Sequence, residues 1–318
     1  MCHTWRYPTV PEEEIKADVY EKLPAVDTLN VTGGEPFMRE DLEEVIPVLR
    51  KKTKRLVIST NGFFTRRILK LFSGHRDIGI RISIEGLPRV NDGLRGIKDG
   101  FDRALRTLIG LHGMGARDIG FGITVSDGNI ADLMELYHLS RMLGFEFATA
   151  AVHNSFYFHK FDNSFSEPER AAEEFGKLVR EQLKSRKVKE WFRAYFNHGL
   201  INYIRGGPRL LPCSMAHDSF FLDPMGVVLP CNVLYRPMGN LKTARFDSIW
   251  DSAGAEEARM AVKHCAKNCW MMGSASPAMK KIKNIWKPAG WIAARKLLPL
   301  TSGRDDNPQQ CPAKRTGF

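Results

Sequence analysis

The 318-residue sequence contains no uninterrupted apolar run of the ~18 residues that a membrane-spanning helix needs. Its first residues, Met1-Cys2-His3-Thr4-Trp5-Arg6, hold no apolar core, so nothing there reads as a secretion signal and a cytoplasmic location is expected. Internal repeats and low-complexity tracts are absent. Cysteine is scarce, six in all, and without a signal these read as metal ligands or thiols and not as disulfides. The remaining composition is ordinary, 43% hydrophobic and 26% charged, which excludes a disordered chain, a collagen-like fibre and a small disulfide scaffold. The length suits one large domain or two unequal ones.

Charge is unevenly placed. From Ala278 to Phe318 there are nine Lys/Arg and two Asp, so this end carries +7 of the net +11 and leaves +4 for everything before it. A basic tail over 277–318 is of a kind that meets an anionic membrane surface, nucleic acid or an acidic partner. A solvated end with no partner carries equal weight, and no specific nucleic acid is expected.

The first half alternates short β-rich runs with longer amphipathic ones. Strands are expected at Val26–Thr32, Arg55–Thr60, Ile78–Glu85, Gly120–Val125 and Phe147–Val152, each rich in Val, Ile or Thr and bounded by Gly, Asn or Asp. Helical spacing is expected at Arg39–Lys52, Thr65–Phe72, Phe101–Met114 and Asn129–Leu143. Such alternation implies βα units and a parallel sheet with its chemistry at the C-terminal strand ends. Two helical segments follow on either side of Ser185-Arg186-Lys187, and Gly206-Gly207-Pro208 marks a boundary. Beyond it Phe220–Leu222 and Val227–Leu229 read as a hairpin turning at Pro224–Gly226, with a helix near Asp247–Val262.

Three sets of residues point to chemistry. Gly33-Gly34-Glu35-Pro36 directly follows a strand: the glycines let a ligand approach the backbone, and Glu35 puts a carboxylate at the strand mouth, suited to an ammonium or a hydroxyl. Ser59-Thr60-Asn61-Gly62, Ser83-Ile84-Glu85-Gly86 and Thr124-Val125-Ser126 end the next strands, and in a parallel sheet they converge with Gly33–Pro36 on one rim. Each alone is a turn or cap; together they suit a ribose, an amino-acid moiety and a base better than a polyphosphate. The third set is Cys213, Cys231, Cys265 and Cys269, which fits a tetrahedral sulfur site, zinc or iron–sulfur, or else four buried thiols. The aromatic stretch Phe156, Tyr157, Phe158, His159 and Phe161 lines a pocket mouth or packs; packing is the commoner use of such a stripe.

These motifs, taken in order, resemble the radical S-adenosylmethionine (radical SAM) superfamily. Gly33-Gly34-Glu35-Pro36 is similar to its GGEP motif, Ser59, Asn61, Ser83 and Glu85 to its next strand ends, and Arg95-Gly96 to the loop that follows; Thr124 would lie near the adenine. The resemblance implies an α/β fold, a partial (β/α)6 TIM-like barrel over 1–205, with S-adenosylmethionine and a [4Fe–4S] cluster. The second half, 206–276, resembles a SPASM or Twitch extension, a small α+β cysteine-rich domain. By that resemblance Cys213, Cys231, Cys265 and Cys269 would hold one auxiliary [4Fe–4S] cluster. The superfamily signature is Cys-x3-Cys-x2-Cys, and Cys2 is similar to its last cysteine; the first two, and a first barrel strand, are expected upstream, the chain reading as N-terminally truncated. A degenerate protein that has lost the catalytic cluster is the competing reading. The implied activity is reductive cleavage of S-adenosylmethionine to a 5′-deoxyadenosyl radical that abstracts hydrogen from a peptide, protein or small metabolite. A flavodoxin or ferredoxin would serve as electron donor. The rival is a non-catalytic zinc- or cluster-binding module with a relic barrel. No role is implied for Cys311 beyond a surface thiol.

Overall fold

The computed structural model describes residues 2–297; Cys311 and the end of the basic tail lie outside the described residues. Strands β1 (Val26–Val31), β2 (Thr53–Thr60), β3 (Gly79–Ser83), β4 (Ile119–Val125) and β5 (Glu146–Ala151) pair in sequence order, all parallel. All five expected strands are present, within a few residues at each end. Helix α1 (Ala17–Tyr20) precedes them; α2 (Leu42–Lys51), α3 (Thr65–Gly74), α4 (Pro88–Arg95), α5 (Gly100–Gly113) and α6 (Leu133–Met142) connect them. The sheet does not close on itself, and β1 is paired on one side only, so the architecture is a five-stranded half-barrel.

The ladder register sorts every strand residue onto one of two faces. Leu56 and Ile58, Ile80 and Ile82, Phe121, Ile123 and Val125, and Phe147 and Ala151 share one face and are buried under the helices. The other face has Asn30, Val57, Ser59, Arg81, Ser83, Gly120, Gly122, Thr124, Ala148 and Ala150, all small or polar except Val57. Alternation therefore gives the sheet an apolar helix-covered back and an open polar front. At the N-terminal end of that front Arg81 donates to Asp118, which also pairs with Arg55. The floor is thus ionic, and the C-terminal mouth stays open.

Helix α4 falls where the sequence read as a loop. Pro88 sits in its first turn, a favourable place for proline, and Gly96 ends it with φ 65°, a conformation that suits glycine. Helices α7 (Pro168–Lys184) and α8 (Val188–Ile204) pack against each other, broken at Ser185–Lys187 as the sequence implies. The cysteine-rich region is an antiparallel sheet, β6 (Phe221–Leu222), β7 (Val227–Leu229) and β8 (Gly239–Asn240); the last strand was not legible in the sequence. The single helix expected near 247–262 is two, α9 (Phe246–Trp250) and α10 (Ala253–Lys263), because the Ser252 hydroxyl accepts from Ala255 N and starts a new N-terminus. Helices α11 (Met272–Lys280) and α12 (Ile282–Leu297) follow, and α12 packs on α7 and α8. Half of the segment expected as a tail is therefore helix.

One apolar core runs through the half-barrel and into the cysteine-rich region. The N-terminal segment ties the two: Ile15 N donates to Pro224 O at 2.9 Å and Lys22 Nζ to Leu241 O at 2.6 Å.

Candidate active site

The mouth of the half-barrel is assembled by two hydrogen-bonded clusters. The first joins the ends of β1 and β2. Glu35 Oε1 accepts from Thr60 Oγ1 at 2.6 Å and from Phe37 N at 3.1 Å, and Oε2 accepts from Asn61 N at 2.7 Å. Both carboxylate oxygens are thereby engaged inside the protein. Burial pushes this carboxyl above its ordinary range, against the pull of those donors. Glu35 thus acts as a lock between two strand ends, and the groups left open to a ligand are those of the backbone around Gly33 and Gly34. Gly33 has φ 141°, and a Cβ there would lie 3.5 Å from the Tyr157 hydroxyl. The bend favours glycine for its backbone conformation, since the nearest atom leaves room for a Cβ.

The second cluster joins β3, β4 and α4. Glu85, 2% exposed, takes Arg95 Nη2 at 2.6 Å on one oxygen and Thr124 N at 2.7 Å on the other. Asn91 Oδ1 accepts from Glu85 N, and Asn129 Nδ2 bridges Glu85 O and Thr124 O. Burial raises the Glu85 carboxyl despite the opposing Arg95 charge. Asn91 and Asn129 were not singled out in the sequence; only their places just after strands β3 and β4 hinted at them.

Of the residues named from sequence, Glu35 and Asn61 are brought together in the first cluster, and Glu85, Arg95 and Thr124 in the second. Ser59 lies on the polar front and donates to Asn30 Oδ1 at 3.1 Å. Ser83 is on the same face, half-buried. Asn61 Oδ1 accepts from Phe63 N at 2.8 Å, closing a turn. Pro36 is buried behind the bend.

Cys2 is exposed, and its loop meets the diglycine bend: a Cβ on Gly34 would lie 3.9 Å from Thr4 Cγ2, and His3 N donates to Phe158 O at 2.7 Å. Three buried polar atoms in this region have no partner among the described residues, namely Thr4 Oγ1, Arg95 Nε and His153 Nε2. Buried donors and acceptors are nearly always satisfied. Hydroxyl, guanidinium and imidazole atoms left open at a strand mouth fit a polar, zwitterionic ligand such as S-adenosylmethionine. Within the aromatic stretch, Tyr157 stacks edge-on with Phe221 at 4.7 Å, with its phenol pushed up to about 12 by burial. His159 stacks on Tyr7, and Phe161 is exposed.

The four C-terminal cysteines converge from the hairpin and from the segment after α10. Cys269 feels Cys231, Cys213 and Cys265 electrostatically and Cys231 feels Cys213 and Cys265, while burial raises both thiols and pushes Cys269 up to about 11, opposed by the nearby Arg209 charge. Cys231 Sγ accepts from Val233 N at 3.4 Å and Leu234 N at 3.2 Å. Among the described residues no three such side chains are close enough to share a single metal ion. An iron–sulfur cluster is several atoms across and spaces its cysteines more widely than a single zinc does, and thiols within electrostatic reach of one another suit such a group. This region closes on the mouth, since Ser155 Oγ donates to Asn232 O, one residue after Cys231, and helix α8 reaches the same loop, Tyr203 donating to Val152 O at 3.2 Å.

The comparisons agree with this arrangement. Residues 2–139 match the radical SAM superfamily and residues 213–271 match SPASM, an iron–sulfur cluster-binding domain. The chain belongs to the radical SAM superfamily and carries a C-terminal SPASM domain. It is 35% identical over 111 residues to Fe-coproporphyrin III synthase of Methanosarcina barkeri, covering 34% of this chain and 27% of that protein. It is 25% identical over 252 residues to an AdoMet-dependent heme synthase of the same organism, covering 71% of this chain and 68% of that protein. Among solved structures, native anSMEcpe with bound AdoMet superposes with a TM-score of 0.59 at 13% identity, over 89% of this chain and 90% of that one. The same protein has been solved with AdoMet and a peptide together. Among the described residues no helix is long and apolar enough to cross a membrane.

Proposed function

We propose that the mouth of this half-barrel binds S-adenosylmethionine over the Gly33–Gly34 bend and that the chain is a fragment of a radical SAM enzyme that uses it for hydrogen abstraction, the cluster needing two thiolates besides Cys2. The observation that carries this reading is the trio of buried atoms Thr4 Oγ1, Arg95 Nε and His153 Nε2, unpartnered among the described residues, around a bend that favours glycine. When bound, an iron–sulfur cluster delivers one electron to the sulfonium, giving methionine and a 5′-deoxyadenosyl radical. The chain's own residues position the ligand. Glu35 and Glu85 fix the strand ends, Arg95 offers a cation to the carboxylate, and Ser59, Asn61, Ser83 and Thr124 line the polar front. Tyr157 and Phe158 help to exclude water. Cys2 stands beside the bend as the one thiol of the signature in this sequence. Cys213, Cys231, Cys265 and Cys269 hold one auxiliary [4Fe–4S] cluster. Haem synthesis and peptide modification both occur among the relatives, and the substrate here is a hydrogen donor reaching the mouth past residues 153–165.

Anaerobic reconstitution followed by metal analysis tests the sulfur site. The 318-residue chain should take up about four irons and no zinc. Replacing Cys213, Cys231, Cys265 and Cys269 together by Ala should abolish uptake. With a single thiol at the mouth the chain should release no 5′-deoxyadenosine. One zinc per chain, or iron retained without these four thiols, would overturn the reading.

A further inference from the structure

Beside the four C-terminal cysteines stand two buried donors without a partner among the described residues, Arg209 Nε and Ser214 Oγ. Arg209 is held from several sides. One terminal nitrogen donates to Cys269 O; the other reaches Ser274 O at 3.1 Å and Ser274 Oγ at 3.3 Å. Its guanidinium lies 5.4 Å from the centre of the Trp270 ring, the residue after Cys269. These contacts fix the planar fork and leave Nε, a charged donor, buried with no acceptor among the described residues. Ser214 is 5% exposed and directly follows Cys213. Two unsatisfied donors flanking two different cysteines of one set are not explained by packing, because a buried donor without an acceptor carries its full desolvation penalty.

We propose that Arg209 and Ser214 are positioning residues that donate to the sulfur atoms of the auxiliary cluster and hold its reduction potential up. The inference rests on the cluster reading above. Thiolate and sulfide sulfurs are anionic acceptors, and a donor or a fixed cation near them stabilises the reduced, more negative state more than the oxidised one. Removing either donor therefore makes the cluster harder to reduce. Arg209 supplies both a charge and a directed N–H; Ser214 supplies only the hydroxyl hydrogen.

The test is a redox titration of the reconstituted 318-residue protein, followed by electron paramagnetic resonance, with iron content measured in parallel. Ser214→Ala and Arg209→Lys should each keep the iron of the wild type and shift the midpoint to lower potential. Arg209→Gln, which also loses the charge, should shift it further. Ser214→Ala removes one atom from an otherwise intact site, so it reports even where an Arg209 variant fails to fold. A protein that loads iron normally but whose midpoint is unmoved in Ser214→Ala and Arg209→Lys overturns the proposal, even where stability falls. Failure of the wild type to load iron is a separate result: it removes the cluster itself.

Discussion

Three donors meet Glu35, and none of them carries a charge. A glutamine in its place keeps one carbonyl oxygen, but its amide turns an N–H toward a group that also donates. Leaving a buried donor unmet costs about 1–3 kcal/mol. Glu35→Gln should therefore lower the urea midpoint by that order. The same residue has a pH signature. Burial raises its carboxyl above the ordinary 4.5, so the folded protein holds the proton more tightly than the unfolded chain. Stability from this group is complete below about 4.5 and is lost as pH rises through the folded pKa. Urea midpoints measured across that window should fall with pH in the wild type, and part of the slope should vanish in Glu35→Gln. An unchanged slope would show that Glu85 and Asp223, raised for the same reason, carry all of it.

Helix α8 receives the cysteine-rich region at Gly199. A Cβ there would lie 2.1 Å from Trp270 Cε2, while Trp270 Nε1 donates to Phe196 O at 2.9 Å. Two effects oppose each other in Gly199→Ala. Alanine favours helix over glycine by up to about 1 kcal/mol. Overpacking a filled site costs about 1–3 kcal/mol. Because the indole is held by its own hydrogen bond and cannot retreat, overpacking should win, and thermal unfolding of Gly199→Ala should show a net loss. The same helix presents His198, stacked on Trp291 at 4.8 Å. Burial, helped by Arg295 and Arg205, depresses this imidazole from 6.5 to about 4. A depressed pKa contributes stability that is present above 6.5 and lost as pH falls through about 4. The effect is bounded by about 3 kcal/mol. His198→Gln should flatten the acid limb of the stability curve while leaving the neutral region little changed.

At the scale of the whole molecule, local chemistry was legible wherever the chain repeats a period and punctuates it. Strands β1 to β5 announced themselves by Val, Ile and Thr between Gly, Asn and Asp, and their polar ends by position alone. Helix α4 did not, because Gly93 and Asn91 weaken its propensity and its stability comes from Asn91 and Arg95 bonding back to the rim. Nor did the distant partners of Glu35, since Thr60 and Asn61 lie at the end of the next strand and meet it only after folding. The C-terminal segment was the hardest, because Lys and Trp scattered among Ile and Ala look alike whether solvated or packed. Its charge now has an address: six of its nine Lys/Arg lie within 278–297, and only +1 net remains beyond Leu297. Helix α12 covers Val179, Leu183 and Ala194 with Ile292, and Trp291 lies against Tyr195 and His198. A variant ending at Lys281 uncovers that face and loses burial worth about 3–5 kcal/mol, the order of a large core truncation. It should melt earlier, and its His198 should titrate closer to the ordinary value, readable in the imidazole proton resonances. A variant ending at Leu297 should match the full chain in both respects. Salt-dependent attachment to anionic vesicles, if the basic end provides it, belongs to the helices and should survive in the Leu297 variant but vanish in the Lys281 one. Equal melting of the two variants would show that α12 lies on α8 without supporting it.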